Sequence, residues 1–118
     1  MVIPAYNCPE YVREAIDSVL AQTFTDYEII VVNDASTDDT ARVLAEYERA
    51  GKIRVVTHER NRGLSAARNT GIRHARGTWV ALLDGDDVWR PEALAYMMGL
   101  LADHPHVKFI SNDGLWFM

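Results

Sequence analysis

The chain has 118 residues, 48% of them apolar and 25% charged, with a net charge of −5 at neutral pH. That balance describes one globular domain with enough chain for a packed core, and it excludes disorder. The acidic excess argues against nucleic acid as a partner, because neutralising phosphates takes a basic surface.

Short apolar runs alternate with amphipathic helical patterns, which implies βαβ units and a parallel sheet. A first strand is expected over Met1 to Pro4, stopped by a proline that has no N–H for the ladder. The first helix is expected from Pro9 to Gln22, with proline suited to its first turn and Val12, Ala15, Ile16, Val19 and Leu20 on one face. Tyr27 to Val32 reads as a second strand, buried on both faces. A helix over Thr37 to Ala50 follows, capped by Ser36 or Thr37, with Asp38 and Asp39 in its first turn and Gly51 ending it.

Ile53 to Thr57 is the third expected strand, and His58 to Gly63 a polar loop. The next helix, Leu64 to Ala75, carries Ala67, Gly71 and Ala75 at every fourth position. Glycine inside a helix costs about 1 kcal/mol relative to alanine, so Gly71 points to a close backbone approach. A fourth strand over Thr78 to Leu83, a helix from Pro91 to Ala102 and a fifth strand over Val107 to Ser111 complete the pattern. The expected fold is α/β: a doubly wound, mostly parallel sheet with helices on both faces. The apolar end Leu115-Trp116-Phe117-Met118 suits a piece of a longer protein.

Cys8 is the only cysteine, so an internal disulfide is excluded, and the histidines show no zinc-type spacing. No apolar run approaches the roughly 20 residues of a membrane span, and the first residues lack signal-peptide character. A cytoplasmic location is expected, with the cytoplasmic face of a membrane as the other option. The Gly-x-Gly-x-x-Gly and Walker-type phosphate loops are both missing.

Chemistry concentrates at the strand ends. Leu83 is followed by Asp84, Gly85, Asp86 and Asp87, an apolar run ending in three carboxylates within four positions. Such acids repel one another unless a cation lies between them, and hard divalent ions prefer oxygen ligands. The other reading is a solvated acidic turn feeding the next helix. Tyr6 and Asn7 follow the first strand, and Asn33 and Asp34 the second. In a doubly wound sheet these ends share one edge, where ligands bind. Together they resemble a nucleotide site: Tyr6 to stack on a base, Asp34 to accept from a base N–H, Asp84 for a ribose hydroxyl and Asp86 for a metal. Taken singly, Tyr6 also reads as a half-buried ring, Asp34 as a turn or cap residue, and Asp87 as a turn acid. Five of the twelve basic residues fall between Arg60 and Arg76, which suits a small anionic ligand, and Arg68 lies nearest the strand-end edge.

Val2-Ile3-Pro4-Ala5-Tyr6-Asn7, Ser18-Val19-Leu20-Ala21-Gln22-Thr23, the stretch from Glu28 through Asn33-Asp34-Ala35-Ser36 to Asp38, Asn61-Arg62-Gly63-Leu64-Ser65-Ala66-Ala67-Arg68-Asn69 and Leu83-Asp84-Gly85-Asp86-Asp87 resemble, in order, the family 2 glycosyltransferases. The resemblance implies a GT-A fold, a nucleotide-sugar donor (usually a UDP-sugar), a divalent metal, Mn2+ or Mg2+, and a glycan, lipid or other hydroxyl acceptor. It also implies that Pro4, Ala5 and Tyr6 line the base pocket, that Asp34 holds the base and that Arg68 lies by the donor. Asp84 and Asp86 then match the Asp-x-Asp pair that contacts the sugar nucleotide and the metal.

On this reading residues 1–118 are the donor-binding domain of an inverting enzyme. Its acceptor-binding half and general base lie beyond Met118. Two alternatives compete: a nucleotide-binding fragment without catalysis, and a response-regulator receiver domain. The receiver reading is weakened by Ala5-Tyr6-Asn7 standing where its acid pair should follow the first strand.

Overall fold

A computed structural model describes residues 1–111; the expected apolar end at 115–118 lies outside them. The elements are β1 (Val2–Ala5), α1 (Pro9–Leu20), β2 (Ile30–Asn33), α2 (Thr40–Arg49), β3 (Arg54–Thr57), α3 (Leu64–His74) and α4 (Ala93–Asp103). The strands are parallel. Val2 lies opposite Ile30 and Ala5 opposite Asn33, while Ile30 lies opposite Arg54 and Asn33 opposite Thr57. On the other side of β1, Val2 pairs with Leu82 in a single parallel bridge. The spatial order is therefore β3, β2, β1, then the segment around Leu82. This order matches the nucleotide-binding doubly wound sheets and differs from the receiver order, in which the first strand lies between the second and third.

Successive side chains of a strand point to opposite faces. Ile3, Ala5 and Val31 pack with Val12, Ile16 and Val19 of α1 and with Val43 and Leu44 of α2. Ile30 and Val32 pack on Ala67 of α3. The sheet is thus sandwiched between α1 and α2 on one face and α3 on the other, as a doubly wound arrangement requires.

Proline 4 does not end β1, contrary to expectation. The Ile30 and Asp34 N–H groups donate to the Met1 and Ala5 carbonyls, so odd-numbered residues of β1 carry the ladder to β2. The missing N–H of Pro4 falls on the opposite side. There Val2 N–H donates to the Ala81 carbonyl (2.8 Å) and Leu83 N–H to the Val2 carbonyl (3.1 Å). The next donor on that side would be residue 4, which has none. The expected fourth strand over Thr78 to Leu83 is accordingly reduced to one bridge. The expected fifth strand, Val107 to Ser111, does not form among the described residues, where Phe109 is 81% exposed.

Helix starts move inward where side chains cap them. Asp38 Oδ1 accepts from the Thr40 N–H (2.9 Å), so α2 opens at Thr40 and not at Thr37. The Gln22 carboxamide accepts from the Leu94 N–H (2.9 Å) and donates to the Arg90 carbonyl (2.7 Å), setting the start of α4 just past Pro91. Gly71 sits where expected, against β1. A Cβ there would overlap the Val2 side chain. Gly71→Ala is expected to lower the unfolding free energy by about 1–3 kcal/mol through overpacking. Urea melts should show Val2→Ala recovering part of that loss; additive losses in the double mutant would contradict the contact.

Candidate functional site

Parallel pairing brings the carboxyl ends of β1, β2 and β3 to one edge. The loops after β1 and β2 are joined there by side chains. Asn7 takes a left-handed backbone (φ 46°), its N–H donates to Ser36 Oγ (3.1 Å) and its Oδ1 accepts from the Thr37 N–H (2.8 Å). Ala35 is also left-handed (φ 60°), held by the Ser36 N–H donating to Asn33 Oδ1 (3.0 Å). Alanine in that region costs about 1–2 kcal/mol. The Cys8 N–H donates to the hydroxyl of the fully buried Thr40 (3.0 Å).

Between these loops and the start of α3 lies a cleft of about 250 Å³ lined by Pro4, Ala5, Tyr6, Asp34, Asn61, Gly63, Leu64 and Ala67. Four of the residues expected to hold a base, Pro4, Ala5, Tyr6 and Asp34, are therefore together. The Tyr6 ring is 48% exposed, available to a flat partner. A larger hollow of about 640 Å³, walled by Trp79, Trp89, Met97 and Phe109 among others, includes none of the expected site residues.

Asp34 is only 3% exposed and fully engaged on one side. Its Oδ1 accepts from His58 Nδ1 (2.6 Å) and from the Arg62 N–H (2.8 Å), and its Oδ2 from the Gly63 N–H (2.8 Å). Burial pushes its carboxyl up, but the hydrogen bonds from His58 and from the two amides outweigh burial and hold it below the ordinary carboxylate range. His58 is buried, and its Nε2 lies 2.9 Å from Thr70 Oγ1 in α3. Sequence reasoning placed His58 in a polar loop and missed it. The available signal was its position directly after β3, a third strand end of the same kind as those that flagged Tyr6 and Asp34.

Arg68 and Asp84 are also brought together, with Nη2 2.5 Å from Oδ1 and both side chains about one-third exposed. Arg68 Nε is buried and has no hydrogen-bond partner among the described residues. The acidic turn is closed by the Asp87 N–H donating to the Asp84 carbonyl (3.0 Å). Gly85 is buried under β1: a Cβ there would stand 2.6 Å from the Pro4 carbonyl oxygen. Asp86 projects outward, and among the described residues no salt bridge reaches it or Asp87. Burial and then the charges of Asp86 and Asp84 push the Asp87 carboxyl up. No group of three or more potential metal-binding side chains converges among the described residues. Among the described residues Asp86 is thus an exposed carboxylate outside any protein-only cage. That suits a hard cation such as Mg2+, which binds through one or two carboxylates and takes its other ligands from water and substrate phosphates.

Residues 1–112 match the model of glycosyl transferase family 2. The glycosyltransferase EpsJ of Bacillus subtilis (strain 168), itself uncharacterized, is 48% identical over 88 residues, covering 74% of this chain and 25% of its own length. Among solved structures, S. aureus TarS 1–349 in complex with UDP-GlcNAc is 30% identical with a TM-score of 0.81, covering 88% of this chain and 31% of its own. The mannosyltransferase PcManGT from Pyrobaculum calidifontis, in complex with GDP-Man and Mn2+, is 30% identical with a TM-score of 0.80, covering 87% and 32%. The chain therefore spans between a quarter and a third of the length of these proteins. No helix among the described residues is long and apolar enough to cross a membrane.

A carboxyl lowered on folding stabilises the folded chain above its unfolded pKa, about 4, and that contribution is lost as pH falls through the lower folded value. Asp34→Asn is expected to cost about 1–3 kcal/mol of stability at pH 7. The gap between variant and wild type should narrow below pH ~4, and denaturant melts across that range would contradict the hydrogen-bonded carboxylate if the gap stayed constant.

Proposed function

The chain belongs to glycosyl transferase family 2, and from that premise we propose that it binds the nucleotide of a UDP-sugar in the strand-end cleft, with a divalent cation on Asp86. The observation that carries this reading is Asp34. It is a buried carboxylate kept ionised by three donors, and it lines a cleft beside an exposed aromatic ring. A base stacks on Tyr6 between Pro4 and Ala5 and donates to Asp34. Asp84, steadied by Arg68, takes a ribose hydroxyl.

When bound, Mn2+ or Mg2+ would counter charge on the departing diphosphate. The exposed Asp86 holds it, and the occurrence of GDP-Man and Mn2+ together in a similar structure supports the pairing. Gly85 keeps Asp84 and Asp86 on the β1 end because only a residue without Cβ fits under the Pro4 carbonyl. In the whole protein the site presents the sugar to a hydroxyl of a glycan, lipid or other acceptor. Transfer with inversion then needs a carboxylate to take the acceptor proton, and Asp84 and Asp86 are assigned on this reading to the donor and the metal.

Calorimetry is expected to show UDP binding that tightens with Mn2+. Asp86→Ala should fold and bind UDP but lose the metal-dependent gain. Gly85→Ala should weaken binding roughly tenfold by displacing the turn from β1. A cooperatively folded chain that ignores UDP with and without Mn2+ would overturn the reading.

A further inference from the structure

His58 and Thr70 are not among the residues that line the cleft, yet His58 is hydrogen-bonded to Asp34, which does line it. An ionised carboxylate has about four lone-pair sites and no proton to give. His58 Nδ1 must therefore donate to Asp34 Oδ1, at 2.6 Å. Thr70 Oγ1 accepts from Arg73 Nη2 (3.1 Å) and lies 2.9 Å from His58 Nε2, within hydrogen-bond distance. The chain of hydrogen bonds runs Arg73, Thr70, His58, Asp34. Both ring nitrogens of His58 are thus held, which fixes the orientation of the imidazole. With Arg62 N–H also on Oδ1 and Gly63 N–H on Oδ2, three of the four lone-pair sites of Asp34 are filled. The fourth, on Oδ2, is left to a ligand in the cleft that Asp34 lines.

We propose that His58, held from behind by Thr70, is a positioning residue that presents one Oδ2 lone pair of Asp34 to an imide N–H of the bound base, and so makes the site select uracil over cytosine. The proposal rests on the nucleotide reading above and deepens it. Uracil carries a proton on N3, whereas cytosine offers an unprotonated nitrogen at the same place, set against a carboxylate that can only accept. A buried polar group left unpaired rejects the analogue that cannot satisfy it. Without His58, Oδ1 regains a free lone pair and only the Arg62 and Gly63 amides hold the carboxylate, so the geometric demand on the base relaxes.

Titration calorimetry with UDP and CDP, with Mn2+ present, reads the preference directly. The wild-type chain is expected to favour UDP by about tenfold. His58→Gln places an amide near Nε2 and none near Nδ1, and should bring the preference close to unity. His58→Asn places its amide near Nδ1 and should retain most of it. Thr70→Val, nearly isosteric, should reduce it by about threefold through loss of the ring's second anchor.

A purely structural histidine predicts that Asn and Gln variants lose affinity for both nucleotides in step with their melting temperatures; that pattern overturns the proposal. So does an unchanged preference in His58→Gln, or in Thr70→Val if His58→Gln fails to fold. A wild-type chain that binds UDP and CDP equally overturns the proposal while leaving the nucleotide reading standing. A wild-type chain that binds neither removes both.

Discussion

A carboxylate can be buried only if donors replace the water it loses, and Asp34 shows what that demand organises. Its three donors come from two places: the residue after β3, and two consecutive amides just before α3. Satisfying one side chain at the end of β2 therefore fixes the end of β3 and the start of α3 relative to it. The cleft is a by-product of that arrangement. Its floor is the end of β1, joined to β2 by the Asp34 N–H donating to the Ala5 carbonyl (2.9 Å). Charge-assisted bonds of this kind are about twice as strong as neutral ones, which is why a single aspartate can hold together segments from three elements.

The acidic turn solves a different problem. Three carboxylates in four positions repel, and the structure relieves only one of them, by pairing Asp84 with Arg68. Asp86 is left in solvent, and the Asp87 carboxyl is pushed up by burial and by its acidic neighbours. A ligand that brings a cation relaxes the turn, so binding energy and charge relief act in the same direction. The site is thus divided: a preorganised half around Asp34, and an electrostatically incomplete half around Asp86.

Much of this was legible in the chain itself. Proline 9 marked the start of α1, the Ala67 and Gly71 spacing marked the face of α3 that approaches β1, and the strand-end polar residues marked the edge where the cleft lies. What was not legible depends on partners distant in sequence. His58 stands in a run of polar residues, and nothing local distinguishes a buried histidine from solvated neighbours; its burial follows from Asp34 and Thr70, 24 and 12 positions away. The first helical residue of α2 depended on which of several capping side chains was already occupied, and Ser36 and Thr37 were taken by Asn7. The segment before Asp84 has strand composition, but a strand needs a partner with donors, and Pro4 withholds one.

That missing donor has a consequence for how protection from solvent exchange is distributed. β1 has a ladder on the β2 side and only the Val2 bonds on the Leu82 side. Amides that bridge β1 and β2 open only with the sheet, near the free energy of global unfolding. Beyond Leu83, the acidic turn is seated on β1 by the fit of Gly85 beneath a carbonyl oxygen rather than by main-chain bonds. One strand thus borders a half expected to exchange slowly, which holds Asp34, and a half expected to exchange faster, which carries the acids, and the boundary between them is the imino nitrogen of a single proline.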